Sequence, residues 1–285
     1  MQSPPPPPAN RASRAGAGTA PLDYRHAKVQ RLRRLIARPN ARRAEGVFVA
    51  EGPMLLSEAI AAGAGIEAVF VAPGAPREAA EAWAHGLRVY DLAEGVLERV
   101  AGTVTPQPVM AIVHMRDVAL EDLPDARTDP RPVVVCTDVR DPGNLGTVLR
   151  SAEAAGAAGV VCCDGTVDAY NPKCVRASAG ALFHVPLVVG GAPEQVLDAL
   201  AAAGRCRLGA VARRGAAYTD QDLAGSALVM GNESNGLPDG VEDHLDGFVH
   251  VPMGGRSESL NVGMACTVLC FEAARQRRAG APHRS

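Results

Sequence analysis

Val133-Val134-Val135-Cys136 constrains this chain more than any other four residues. A strand with one wet face alternates apolar and polar side chains, and this run does not. It is apolar throughout and rich in β-branched valine, which predicts a strand buried on both faces, as in parallel sheets covered by helices. The downstream pattern agrees. Helical patterns over 145–155, 194–203 and 260–275 are interleaved with strand patterns over 159–163, 208–211, 227–230 and 248–251. Such alternation implies an α/β fold with a mainly parallel sheet. Ligands of such sheets gather beyond the carboxyl ends of the strands. The loops after Cys136, Met230 and Val251 are therefore the places to look for a site.

Upstream, the chain reads as three further pieces. Residues 1–22 are rich in Pro, Ala, Gly and Ser and hold almost no large apolar residue, so a disordered tail is expected there. Residues 23–116 read as a small α/β domain. Val29, Leu32, Leu35 and Ile36 recur at helical spacing, Pro39-Asn40 is expected to stop that helix, and Val47-Phe48-Val49 reads as a strand. Residues 117–131, with Pro124, Pro130 and a scatter of acidic residues, read as a linker. The larger α/β domain then occupies 132–280.

Several classes are excluded by composition. No apolar run is long enough to span a bilayer, and the N-terminus lacks the apolar centre of a secretory signal. Seven cysteines are scattered through apolar segments with no CxxC pair, which points to reduced buried thiols, a cytoplasmic location and no metal site. The adjacent Cys162 and Cys163 are expected to face opposite sides of a strand. Net charge is only -2, but basic residues crowd the first fifty positions, among them Arg31, Arg33, Arg34, Arg42 and Arg43, against Asp23 and Glu45. A phosphate-rich partner and a plain solvated face both fit that distribution.

Each of the three loops carries Gly with Asn, Ser or Glu. In the first, Asn144 reads as a helix N-cap, and Arg150 falls off the buried stripe of the helix it opens. The spacing is neither GxGxxG nor a Walker loop, so a Rossmann-type nucleotide enzyme has little support. The second, Met230-Gly231-Asn232-Glu233, sets a carboxylate beside a glycine. The third, Val251 to Gly263, is a glycine-containing elbow in which Ser259 or Asn261 could cap the final helix. A basic segment bearing Lys173 and Arg176 could meet phosphate or simply face solvent. Alone, each loop is an ordinary connection. Together they could wall a pocket rich in backbone donors and acceptors.

NLGTVLRSAEAAGAAGV (144–160), VMGNESNGLP (229–238) and VPMGGRSESLNVGMA (251–265) occur in that order, with RASAGALFHVP (176–186) between the first two. They resemble the three motifs of the SpoU, or TrmH-type, RNA ribose methyltransferases of the SPOUT superfamily. Arg42-Arg43 followed by VFVAEG (47–52) is similar to the L30e-like substrate-binding domain often fused to those enzymes. The resemblance implies a trefoil-knotted α/β methyltransferase domain, S-adenosylmethionine as cofactor, and a homodimer that shares each active site. It implies that Met230, Gly231, Val251, Met253 and Leu260 touch the cofactor. Asn144, Arg150, Glu233, Ser259 and Asn261 would form the catalytic set. Arg31, Arg33, Arg34, Arg42, Arg43, Lys173 and Arg176 would meet RNA. The implied reaction is 2'-O-methylation of a ribose, with 23S ribosomal RNA favoured over transfer RNA. A catalytically inactive RNA-binding or ribosome-assembly protein on the same scaffold is the alternative.

Overall fold

The computed structural model describes residues 20–101 and 106–280. Most of the tail expected over 1–22 lies outside them. The first unit runs α1 (Ala27–Ala37), α2 (Pro39–Glu45), β1 (Val47–Glu51), α3 (Pro53–Ala61), β2 (Ile66–Val71), α4 (Pro76–Ala84), β3 (Val89–Asp91), α5 (Val96–Ala101) and β4 (Val109–His114). Its four strands are ordered β1-β4-β2-β3, with only the β2–β3 pair parallel. Pro39 does end α1, but it also opens α2, where its missing N–H is harmless at the first helical position.

The second unit runs β5 (Val133–Cys136), α6 (Pro142–Ala154), β6 (Gly159–Cys162), α7 (Pro172–Ala177), β7 (Leu187–Val189), α8 (Pro193–Ala202), β8 (Arg207–Ala210), β9 (Ala216–Ala217), β10 (Ala227–Met230), β11 (Gly247–His250) and α9 (Val262–Gly280). Its seven strands are ordered β7-β6-β5-β10-β8-β11-β9, and every pairing is parallel. Both faces are covered, as the apolar run of β5 requires. Val134 and Cys136 pack into one cluster, Val133 and Val135 into another. Cys162 and Cys163 divide between the same two clusters. All seven cysteines are free thiols, and only Cys206 is exposed. Among the described residues no helix is long and apolar enough to cross a membrane.

The two units share a core. In β1, Val47 and Val49 face a cluster private to the first unit, while Phe48 and Ala50 join the cluster that contains β5 and α6. Phe48 stacks on Tyr170, ring centroids 4.8 Å apart. Around this apolar contact lies a ring of polar ties. Arg176 Nη1 donates to Glu51 Oε2 at 2.6 Å, and His184 Nε2 lies 2.7 Å from Glu58 Oε2. Arg116 Nη1 donates to the carbonyls of Ala62 and Phe183, one in each unit. At the centre Arg42 is buried against Asp168. Its Nη2 and Nε donate to Oδ2 at 2.5 and 3.0 Å, and its Nη1 donates to the carbonyls of Leu35 and Ile36. The segment expected as a linker packs on the second unit as well: Leu123 is buried, and Arg205 donates to the carbonyls of Pro124 and Arg131.

Candidate functional site

At the carboxyl ends of β8, β10 and β11 the chain leaves a cavity of about 250 Å³. Three segments wall it: Ala210 to Ala212 after β8, Met230 to Ser234 after β10, and Val251, Met253, Ser259 and Leu260 of the elbow before α9. Val249 and Leu269 complete the apolar wall. Met230, Gly231, Val251, Met253 and Leu260, singled out from sequence, all line it. The contribution of β8 was not foreseen, because nothing local reveals that β8 lies between β10 and β11.

The glycines of these loops differ in necessity. At Gly231 a Cβ would stand 2.4 Å from the carbonyl oxygen of Gly236, so only glycine lets the loop fold back beside the cavity. At Gly263 a Cβ would meet Thr147 at 2.9 Å, where α9 crosses α6. Gly254 and Gly255 have open space around them and no positive φ, so the elbow does not need its glycines for shape.

On the rim, three side chains form one directed hydrogen-bond chain. The capping residue of α6 is Asp141, whose Oδ1 accepts from the N–H of Asn144. Asn144 is thus not the cap expected from sequence; it sits inside the first turn, and its side-chain amide bonds across to the other loops. A carboxylate can only accept, so Glu233 fixes which end of that amide faces it. Asn144 Nδ2 donates to Glu233 Oε1 at 2.9 Å, and Asn144 Oδ1 accepts from Asn261 Nδ2 at 2.8 Å. Asn261 Oδ1 then accepts from the N–H of Gly263 at 2.9 Å and caps α9. The charge on Glu233 therefore sets the orientation of both amides. Burial pushes the Glu233 carboxyl up, but donation from Asn144 and from the backbone of Asp141 and Arg140 outweighs it and holds the group below its ordinary value. Glu233 is anionic at neutral pH.

Ser259 lines the cavity beside this chain. Arg150 does not join it. It lies six residues after Asn144 on α6, about 9 Å further along the axis, and is exposed. Its neighbour Ser151 meets Thr267 of α9 at 2.7 Å.

The basic residues are sorted by their partners. Arg42, expected on an RNA-facing surface, is buried in the joint between the units, and that expectation is corrected. Arg31 is held by Glu45 and Glu67, Arg34 by Glu45, Arg176 by Glu51 and Lys173 by Asp141. Arg33 and Arg43 are exposed and have no carboxylate partner among the described residues.

Residues 131–271 match the SpoU rRNA Methylase family, and residues 26–111 match the MRM3-like substrate binding domain. The 23S rRNA (uridine(2479)-2'-O)-methyltransferase of Streptomyces viridochromogenes is 32% identical over 272 residues, 91% of this chain and 93% of that one. The 23S rRNA (guanosine(2553)-2'-O)-methyltransferase RlmP of Bacillus subtilis is 38% identical over 187 residues, 65% of this chain and 72% of that one. Among solved structures, the SpoU methyltransferase AviRb of S. viridochromogenes in complex with AdoMet superposes with a TM-score of 0.80 at 30% identity, covering 90% of this chain and 100% of that one. The AdoMet-bound rRNA methyltransferase of Sinorhizobium meliloti gives 0.78 at 30% identity, covering 88% and 95%. The fully parallel sheet, the three loops at its carboxyl edge and likeness across both units agree: the chain belongs to the SpoU rRNA methylase family.

Proposed function

We propose that this protein transfers a methyl group from S-adenosylmethionine to a ribose 2'-hydroxyl in RNA, with 23S ribosomal RNA the favoured substrate. The observation that carries this is a strand-end cavity that abuts a carboxylate-directed amide chain. The walls suit the cofactor. Gly231 lets its loop fold back onto Gly236 at the cavity's edge, and Val249, Val251, Leu260 and Leu269 offer apolar surface. Met230, Gly231, Val251, Met253 and Leu260 would hold it, and it supplies a methyl group on a sulfonium, already a good electrophile.

The protein's own task is then alignment and the removal of one proton. Glu233 stays ionised and locks Asn144 and Asn261 in one orientation, which presents fixed dipoles to the ribose. Ser259 Oγ or a water beside it relays the hydroxyl proton. Arg150 does not act as the base, because a guanidinium stays protonated at any ordinary pH. It orients RNA phosphate and stabilises the developing alkoxide.

We place Arg150 in the site through a second copy of the chain. Met264 and Phe271 on α9 are 60% and 45% exposed, with Val268 between them on the same face. An apolar stripe of that kind is suited to a helix of a partner subunit. Ser151, next to Arg150 on α6, meets Thr267 of the same helix α9. A homodimer can therefore bring the Arg150 of one subunit to the Asn144–Glu233–Asn261 chain of the other. Of the five first-unit arginines expected to meet RNA, Arg33 and Arg43 are the two left exposed and without a carboxylate partner among the described residues.

Two relatives act on different bases, uridine and guanosine, so the base is not carried over to this chain. The test is a map of 2'-O-methylation on total RNA from cells with and without the protein. Loss of one ribosomal site is expected. An unchanged map, with S-adenosylmethionine binding intact by calorimetry, supports instead an assembly factor on the same scaffold.

A further inference from the structure

Beside the cavity, and sharing Met253 and Ala212 with it, lies an open groove of about 430 Å³. The cofactor reading leaves it without a role. Its polar lining is Arg213, His250, Arg256, Ser257 and Glu258. Resting on the methyltransferase reading, we infer that this groove seats the RNA strand next to the methylated nucleotide, with one backbone phosphate held between Arg213 and Arg256.

Two observations support it. The groove adjoins the elbow that carries Ser259, so it lies within reach of a strand whose ribose sits at Ser259. Arg256 is exposed and has no carboxylate partner among the described residues, while Arg213 pairs only with Glu258, at 2.9 Å, with the two side chains 69% and 83% exposed. So exposed a pair contributes little to stability. A phosphodiester presents the same two-oxygen anionic edge to a guanidinium fork as a carboxylate does, and seated between Arg213 and the unpartnered Arg256 it meets two cations where Glu258 meets one. Glu258 is then a gate: it occupies Arg213 until RNA arrives, and it discourages other anions from settling there.

The experiment measures methyl transfer to ribosomal RNA from cells lacking the protein, over a series of salt concentrations, together with S-adenosylmethionine affinity by calorimetry. The variants are Arg213→Ala/Arg256→Ala, Arg213→Lys/Arg256→Lys and Glu258→Gln. For the alanine pair the KM for RNA should rise roughly tenfold, since charge-assisted bonds to phosphate are lost. The dependence of log KM on log salt should flatten by about 0.7, one phosphate's share on a single strand. Cofactor affinity should stay at wild type, which also shows that the variant is folded. The lysine pair should keep the salt slope, and Glu258→Gln should lower KM. An alanine pair with unchanged KM and slope overturns the groove assignment while leaving the methyltransferase intact, and loss of cofactor binding overturns it by merging groove and cavity. Wild-type protein that transfers no methyl group to any RNA fraction overturns the underlying reading itself.

Discussion

Replacing Arg42 with methionine should loosen the protein at the joint between its two units and leave its contact with RNA unchanged. The side chains of Arg42 and Asp168 are 2% and 10% exposed, so solvent screens the pair little. Methionine fills similar volume but strands the Asp168 carboxylate and the carbonyls of Leu35 and Ile36. Removing one member of a buried pair costs about 3–5 kcal/mol. Asp168 keeps the N–H of Tyr170 at 2.9 Å, which argues for the lower end, about 3 kcal/mol, or roughly a hundredfold in the equilibrium.

The chain's one tryptophan, Trp83, lies on α4 in the first unit. Its fluorescence therefore reports that unit, while far-ultraviolet dichroism reports both. In urea the wild-type curves should coincide, and those of Arg42→Met should shift and separate. Asp168→Asn alone should also destabilise. The double variant Arg42→Met/Asp168→Asn should cost clearly less than the two singles summed, because no charge is then left stranded. At a temperature where Arg42→Met remains folded, its RNA affinity should keep the wild-type salt dependence. A stability loss under about 1 kcal/mol, strict additivity in the cycle, or a flatter salt slope would each refute the assignment of Arg42 to the joint.

Other outcomes rest on the same geometry. Arg150→Lys should slow methyl transfer by roughly 10²-fold, the range for losing a preorganised donor; a near-wild-type rate at neutral pH would show that the guanidinium fork is dispensable. Arg33→Ala/Arg43→Ala should flatten the salt dependence of RNA binding by one to two units in a filter-binding or gel-shift series, roughly one per phosphate contact, whereas Arg31→Ala, whose charge is already matched by Glu45 and Glu67, should flatten it little. For Glu233→Gln the sign comes from the lowered folded-state value. The carboxylate contributes stability above its unfolded value, and loses it as pH falls through the lower, folded one. The melting-temperature gap between wild type and Glu233→Gln should therefore be constant from pH 6 to 8 and close only in acid. A gap that opens on acidification would contradict the anionic, hydrogen-bonded Glu233.

What could be read from the residues, and what could not, divides by distance along the chain. The both-faces-buried strand β5 was legible because four consecutive side chains carry that information. The loops after β5, β10 and β11 were legible as a set because ends of parallel strands lie on one edge. The part played by Ala210 to Ala212 was not, since it depends on strand order, and order is fixed by packing between segments far apart in sequence. Arginine shows the limit most clearly. Arg33 and Arg42 lie nine positions apart in one basic stretch and look alike from within it. One faces solvent; the other is buried because an aspartate 126 residues away lies across the joint from it. Charge density alone says that phosphate is a plausible partner for the stretch. Which arginine remains available for it is decided by acids that only the folded chain brings near, here Glu45, Glu67 and Asp168. Gly254 and Gly255 make the converse point. They stand side by side in the elbow, yet open space surrounds them, while Gly231 and Gly263 are the glycines the cavity and the α6–α9 crossing require.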